Sequence, residues 1–293
     1  MNIITFDIGG TNIKYALCNE KFELSEKNSI PTEASKGGQY IINKVIDIVE
    51  SYKNIDRVAI STTGEVDSKN GIVLYSTNNI PYYTGMMVKK IIENKTGILT
   101  YVENSVNASA IGEAKFGAAK EAKSFICLNF GTGIGGAIYI NGENYKGEDS
   151  LAGEFGHIVT HAGGRPCICG GEGCYEQYAS TNALTQAVEK ATGKKLNGFE
   201  IFNKENFNDP EIRHEIDIWI DEIIIGLKNV IYSFNPSLIV LGGGIMSEKY
   251  IIELIDRKIY KQLLENFRKV NIVNSKLGND ASLLGVAYKA SQL

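Results

Sequence analysis

The strongest constraint on the fold is a pattern that the chain uses twice: a short β-branched run, a glycine-rich turn and a second apolar run, with no room for a helix between them. Residues 2–19 carry IITFDI, stop at Gly9-Gly10 and continue directly into IKYAL. Residues 125–140 repeat the layout as FICLNF, GTGIGG and AIYI. Each predicts a β-hairpin with a polar, glycine-rich tip. The recurrence predicts an internal duplication. A third glycine turn, Gly242-Gly243-Gly244, follows the buried-strand pattern SLIVL.

Glycines permit positive φ and close backbone approach, so consecutive N–H groups can converge on an anion. A dinucleotide fold would need its glycine fingerprint to open a helix, and GTGIGG instead runs into the strand-like AIYI. No Walker A sequence ending in Gly-Lys-Ser/Thr is present. Nucleotide binding through paired hairpins is therefore the preferred reading. Asp7, at the end of the first strand, suits Mg²⁺ held through its hydration water, because that ion dehydrates reluctantly and prefers carboxylate oxygens.

Between the hairpins the sequence predicts a helix near 38–52, a strand at 57–61, a β-element near 72–75, a helix over 85–95 stopping at Gly97, a strand at 98–103 and a helix over 105–116. Beyond 146 the composition turns to Gly, Cys and His without periodicity up to about 180, which reads as a loop-rich insert that something else must order. Asp209-Pro210 opens a long helical pattern that ends before Asn235-Pro236, and a further helix is expected near 247–266. Strands alternating with helices argue for an α/β architecture.

The 293 residues suffice for one or two domains. Thirty Lys and Arg against 34 Asp and Glu give a net charge of −4, which does not attract nucleic acid or acidic lipid. No export signal and no apolar run near 18 residues occur, so a soluble, cytoplasmic protein is expected.

Of the five cysteines, Cys167, Cys169 and Cys174 fall within eight residues. With one histidine they supply a tetrahedral Zn²⁺ set, and a closed Cys₃His shell predicts a structural rather than a hydroxide-generating metal. The spacing leaves His157 and His161 both available as the nitrogen ligand. Cys18 and Cys127 lie in apolar runs and are expected in the core.

The combination DIGGT, GTGIGG, GEFGH and CICGGEGCYEQYAS resembles the ROK family of sugar kinases and sugar-responsive repressors, within the actin-like ATPase superfamily. The composite GH-x₉-C-x-C-G-x₂-G-C-x-E pattern is specific and favours His157 over His161. The resemblance implies a two-lobed, duplicated ribonuclease H-like α/β fold with ATP and sugar meeting in the cleft. Lobes at 1–117 and 118–280 are expected, with a helix at 281–293 packing back on the first. It assigns Asp7, Gly9, Gly10, Thr11 and Lys14, with Gly131, Thr132, Gly133 and Gly135, to the ATP phosphates, and Gly242, Gly243 and Gly244 to adenosine.

By the same resemblance the sugar hydroxyls meet Asn104, Glu154, His157 and Glu176, with Gly64, Asn79 and Ser105 beside them, and His157 bridges zinc and sugar. Thr63 stands where many relatives have proline before Gly64, a replacement seen in some N-acetylmannosamine kinases. The repressor branch carries a helix-turn-helix before the first hairpin, and here Met1 nearly abuts that hairpin, so DNA binding is not expected. A homodimer is expected.

One position departs from the family pattern. E-N-D-x-N carries the aspartate that takes the proton of the sugar hydroxyl, and this chain reads Glu103-Asn104-Ser105-Val106-Asn107. A serine hydroxyl lacks useful basicity near neutral pH, and losing a general base costs about 10²- to 10⁴-fold in rate. Ser105 also suits a helix N-cap. Glu65 and Glu103 are the nearest carboxylates by sequence. The expectation is a hexose or N-acylhexosamine kinase acting on the 6-hydroxyl, impaired at Ser105, with a weakly catalytic sugar-binding protein as the alternative. Glucose or N-acetylmannosamine is the favoured substrate, with fructose or a β-glucoside behind.

Overall fold

The computed structural model describes residues 1–76 and 79–293. In chain order its elements are β1 (Ile3–Ile8), β2 (Asn12–Cys18), β3 (Leu24–Pro31), α1 (Gly38–Ser51), β4 (Arg57–Thr62), β5 (Glu65–Asp67), β6 (Ile72–Tyr75), α2 (Val88–Thr96), β7 (Thr100–Asn104) and α3 (Ser105–Phe116). There follow β8 (Phe125–Phe130), β9 (Ile134–Ile140), β10 (Glu143–Tyr145), α4 (Glu176–Ala179), α5 (Thr181–Thr192), α6 (Gly198–Ile201), α7 (Lys204–Phe207), α8 (Pro210–Phe234), β11 (Leu238–Gly242), α9 (Lys249–Ile259), β12 (Asn271–Asn274) and α10 (Ala281–Ala290). Two compact units result, one of residues 1–120, 143–152 and 279–293, the other of 121–142 and 153–278. The sequence pattern did not foresee the return of 143–152 to the first unit.

In unit 1 the sheet order is β3-β2-β1-β4-β7, with β1 antiparallel to β2 and parallel to β4, and β4 parallel to β7. IITFDI is buried almost throughout because β1 has a strand on either side and α10 packs on it. Strand β3 escaped the sequence pattern because LSEKNSIP is an exposed, polar edge strand. Ile41, Ile42, Val45, Ile46 and Val49 give α1 one apolar stripe. Helices α3 and α10 approach through Gly112 and Gly285: a Cβ at Gly112 would lie 2.1 Å from the Ala281 carbonyl oxygen, and one at Gly285 would lie 1.8 Å from that of Ala108. Only glycine fits at either position.

In unit 2 strands run β9-β8-β11-β12, with β8 antiparallel to β9 and parallel to β11, and β11 parallel to β12. This reproduces β2-β1-β4-β7, as the duplicated hairpin predicted. Asp209 caps α8 by accepting from the Glu211 N–H, Pro210 takes its first turn, and Asn235 closes it in the left-handed region at φ 44°. The Trp219 indole donates to the carbonyls of Ala179 and Ser180 at 2.9 and 3.0 Å, fastening α8 to the end of the insert.

Several expected boundaries shift. The helix expected over 85–95 begins at Val88, and the one expected over 247–266 is α-helical only at Lys249–Ile259 before short 3₁₀ turns. Helix α5 and the short strand β12 lay outside the sequence reading. Cys18 and Cys127 are core residues, each about 1% exposed. Among the described residues no helix is long and apolar enough to cross a membrane.

Candidate active site and metal cluster

The first hairpin presents Gly9, Gly10 and Thr11 at its tip, where the Gly9 N–H donates to the Asn12 carbonyl at 3.0 Å. Thr32 steadies the tip, its hydroxyl donating to the Gly9 carbonyl at 2.7 Å and its N–H to that of Thr11 at 2.8 Å. Behind the tip, Asp7 Oδ1 accepts from the Ser61 hydroxyl at 2.7 Å. Burial raises the Asp7 carboxyl above its ordinary value, and the Ser61 bond, the Lys14 charge and Ser282 pull it partly back. A carboxylate withdrawn from water beside a glycine turn gains from a divalent cation, whose charge replaces the lost hydration. Lys14 Nζ donates to Asn279 Oδ1 at 2.9 Å.

The turn glycines differ from expectation in one respect. Gly9, Gly10, Gly131 and Gly133 are not among the glycines with positive φ. Their value lies in bare backbone: a Cβ at Gly10 or Gly131 would meet nothing within 4 Å, so a ligand can approach the main chain. Gly243, in contrast, does use positive φ, at 102°, and a Cβ there would lie 2.0 Å from the Phe130 carbonyl oxygen.

At the end of β7, Asn104 rather than Ser105 is the N-cap of α3. Its Oδ1 accepts from the N–H groups of Val106 and Asn107 at 2.9 and 3.1 Å, and its Nδ2 donates to the Gly64 carbonyl at 2.8 Å. Gly64 holds φ 91° at a point where a Cβ would lie 2.6 Å from the Tyr75 carbonyl oxygen. Ser105 is the first helical residue, partly exposed. Glu103, fully buried, accepts from Lys146 Nζ at 2.6 Å, the Tyr101 hydroxyl at 2.7 Å and the Asn104 N–H at 3.1 Å. Burial, then the neighbouring Glu103 charge, pushes the Tyr101 phenol well up. Lys146 also bonds Ser68. Glu103 is thus engaged in holding the strand end. Asn79 lies on an exposed turn; its neighbours Thr77 and Asn78 fall outside the described residues.

In unit 2 the insert folds around a side-chain cluster. Ligand atoms of His157, Cys167, Cys169 and Cys174 all lie within 4.8 Å of one another. The Cys169 and Cys174 sulfurs are 3.6 Å apart, and Cys167 Sγ is 3.6 Å from His157 Nδ1. A Zn²⁺ tetrahedron with Zn–S bonds of about 2.3 Å has edges of about 3.8 Å, so three thiols and one imidazole at these separations fit that ion. Burial, then Cys167 and Cys169, pushes the Cys174 thiol up to about 12, so a cation must displace protons to form thiolates there. His161 is excluded: its ring stacks on Tyr178 at 4.0 Å and its Nε2 lies 3.6 Å from Glu222 Oε1. His157 directs Nδ1 to the cluster and is about a third exposed.

Glu176 links this cluster to the second hairpin. Its Oε1 accepts from Cys167 Sγ at 3.4 Å, while Oε2 accepts from the Ile134 N–H at 3.4 Å and lies 2.3 Å from where a Gly133 Cβ would stand. The hairpin tip is further held by the Asn182 N–H, which donates to the Gly131 carbonyl at 3.4 Å. Thr132 is exposed at this tip, Gly135 lies opposite Asn129, and Glu154 is exposed ahead of the short turn carrying His157. Sequence reasoning missed two structural residues: Lys146, whose partner is 43 positions away, and Asn129, which faces the bare Gly242 with a Cβ-to-Oδ1 approach of 2.1 Å. The match of NFGTG to DIGGT was the available signal for Asn129.

A family model described as ROK family matches residues 3–292. A glucokinase of Streptomyces coelicolor is 31% identical, covering 99% of this chain and 97% of its own length. An N-acetyl-D-glucosamine kinase of Aliivibrio salmonicida is 27% identical over 97% of each chain. Among solved structures, a ROK family glucokinase from Streptomyces griseus in complex with glucose and AMPPNP is similar over 100% of both chains, with a TM-score of 0.89 and 29% identity.

Proposed function

The chain belongs to the ROK family, and from that premise we propose that it transfers the γ-phosphoryl group of ATP to the 6-hydroxyl of a hexose or N-acylhexosamine, as a cytoplasmic homodimer. The observation that carries this reading is the pair of glycine hairpins on a duplicated strand plan, one with a withdrawn carboxylate and one braced beside a Cys₃His cluster. Glucose and N-acetylmannosamine lead the substrates. Glucokinase relatives support the first, and Thr63 before Gly64 favours the second.

In this reading Gly9, Gly10 and Thr11, with Gly131, Thr132, Gly133 and Gly135, receive phosphate oxygens, and Gly242 to Gly244 lie by adenosine. Lys14 contributes charge, and Asp7 holds Mg²⁺ through water. Sugar hydroxyls fall to Asn104, Glu154, His157 and Glu176, with Gly64 and Asn79 beside them, because carboxylates accept from hydroxyl donors and an amide does both. Zn²⁺ would order the insert through His157, Cys167, Cys169 and Cys174, and Mg²⁺ would neutralise phosphate charge.

Ser105 occupies the base position and cannot hold the proton there, so turnover depends on positioning and electrostatics and is slow. That residue favours a second reading, a sugar-binding protein with vestigial catalysis. A coupled ADP-release assay with ATP, Mg²⁺ and a panel of glucose, N-acetylmannosamine, N-acetylglucosamine, fructose, mannose and cellobiose tests the proposal. ADP release on one sugar, with the matching sugar phosphate, is expected. Sugar binding by zinc-loaded protein without any sugar phosphate would favour the second reading.

A further inference from the structure

We propose that the exposed ring of Phe199 is the platform on which the nucleobase of the phosphoryl donor stacks. This deepens the reading of a nucleotide-dependent kinase and rests on it.

Phe199 is 61% exposed, and a single exposed phenylalanine is by itself ordinary. What distinguishes this one is the frame beneath it. Helix α6 opens with a reciprocal cap: Asn197 Oδ1 accepts from the N–H groups of Phe199 and Glu200, both at 3.0 Å, and Glu200 Oε2 accepts from the Asn197 N–H at 2.7 Å. The backbone carrying the ring is therefore pinned. Gly198 is packed so tightly that a Cβ would lie 2.9 Å from Thr181 Cγ2 and 3.3 Å from Ile245 Cδ1.

The frame closes on the glycine turns. Phe199 Cζ lies 3.0 Å from the position of a Gly244 Cβ, so the ring tip abuts the third turn. The preceding Gly243 touches the Phe130 carbonyl, and the Thr181 hydroxyl donates to that same carbonyl at 3.3 Å. Gly131, at the tip of the second hairpin, is the next residue in the chain. A rigid apolar ring thus stands in water on one short circuit of contacts with two turns of bare backbone, an arrangement suited to a ligand that is aromatic at one end and anionic at the other.

Stacking on an aromatic face tolerates every base, because each has a π-face, and its loss weakens binding by about 10- to 100-fold.

Calorimetric titration of the zinc-loaded full chain with Mg²⁺-ADP, Mg²⁺-GDP and Mg²⁺-tripolyphosphate tests the inference in wild type, Phe199→Ala and Phe199→Trp. Wild type is expected to bind both Mg²⁺-ADP and Mg²⁺-GDP. Phe199→Ala should weaken both by about 10- to 100-fold while leaving tripolyphosphate, which has no base, unchanged. Phe199→Trp should retain affinity, with its indole fluorescence changing as nucleotide binds. Unaltered ADP affinity in Phe199→Ala would overturn the platform. Wild type that binds none of the three probes would overturn the kinase reading itself, and the platform with it.

Discussion

Asp7 stands two residues before the glycines of the first hairpin, and the matching residue of the second is Asn129. Their neighbours differ in the same sense. Asp7 is flanked in register by Lys14 on β2 and Ser61 on β4, whereas Asn129 is flanked by Gly135 on β9 and Gly242 on β11. One strand plan therefore serves two environments. The first keeps a charge and the groups that tolerate it; the second carries no charge at its strand ends and is braced by the Glu176 carboxylate. In the proposed function, the charged strand end suits a cation and the bare one suits an anion.

Removing the charge from the first hairpin should have the largest effect. Asp7→Asn is expected to lower kcat by about 10²- to 10³-fold, the range for losing one electrostatic group aimed at developing charge. The same variant should melt at higher temperature at neutral pH. The folded Asp7 carboxyl sits above its ordinary value chiefly through burial, so its stabilising contribution is full below the unfolded value and lost as pH rises through the folded one. The stability gap between Asp7→Asn and wild type should therefore close on acidification, and thermal melts across pH measure it. A gap that widened toward acid would contradict this assignment.

Next in size is the dependence of the second hairpin on the Cys₃His cluster. Chelation, or Cys174→Ser, should release the metal and deprotect residues 131–136 in hydrogen exchange, because Glu176, two residues beyond Cys174, accepts from the Ile134 N–H. The first hairpin should keep its protection. Equal loosening of both would show that the insert supports the whole fold and has no special link to one tip.

The smallest expected change comes from importing the first hairpin's charge into the second. Asn129→Asp should raise the KM for ATP by about 10-fold with little change in kcat, since a carboxylate beside the phosphates repels them without touching the reacting groups. Steady-state kinetics at saturating sugar separates the two constants.

Much of this was readable in the sequence because the signals were local. The hairpins, the Asp209-Pro210 helix start and the cysteine spacing each occupy a few consecutive residues, and the structure gathers His157, Cys167, Cys169 and Cys174 as their pattern required. Strand β3 was not readable because a solvated edge strand needs no apolar alternation. The cap of α3 was misread because serine and asparagine both suit that position, and the bond from Asn104 Nδ2 to Gly64, 40 residues away, settles which one turns its side chain inward. The engagement of Glu103 by Lys146 was hidden for the same reason, since no spacing rule connects a strand end to an excursion 43 residues later.

The most direct test compares sugar phosphate formation from ATP in zinc-loaded wild type and in Ser105→Asp, on glucose and N-acetylmannosamine. The account predicts slow but measurable transfer in wild type and a rise of about 10²- to 10⁴-fold when the carboxylate is restored. Absence of sugar phosphate from both proteins, with ATP and sugar shown to bind, would contradict it.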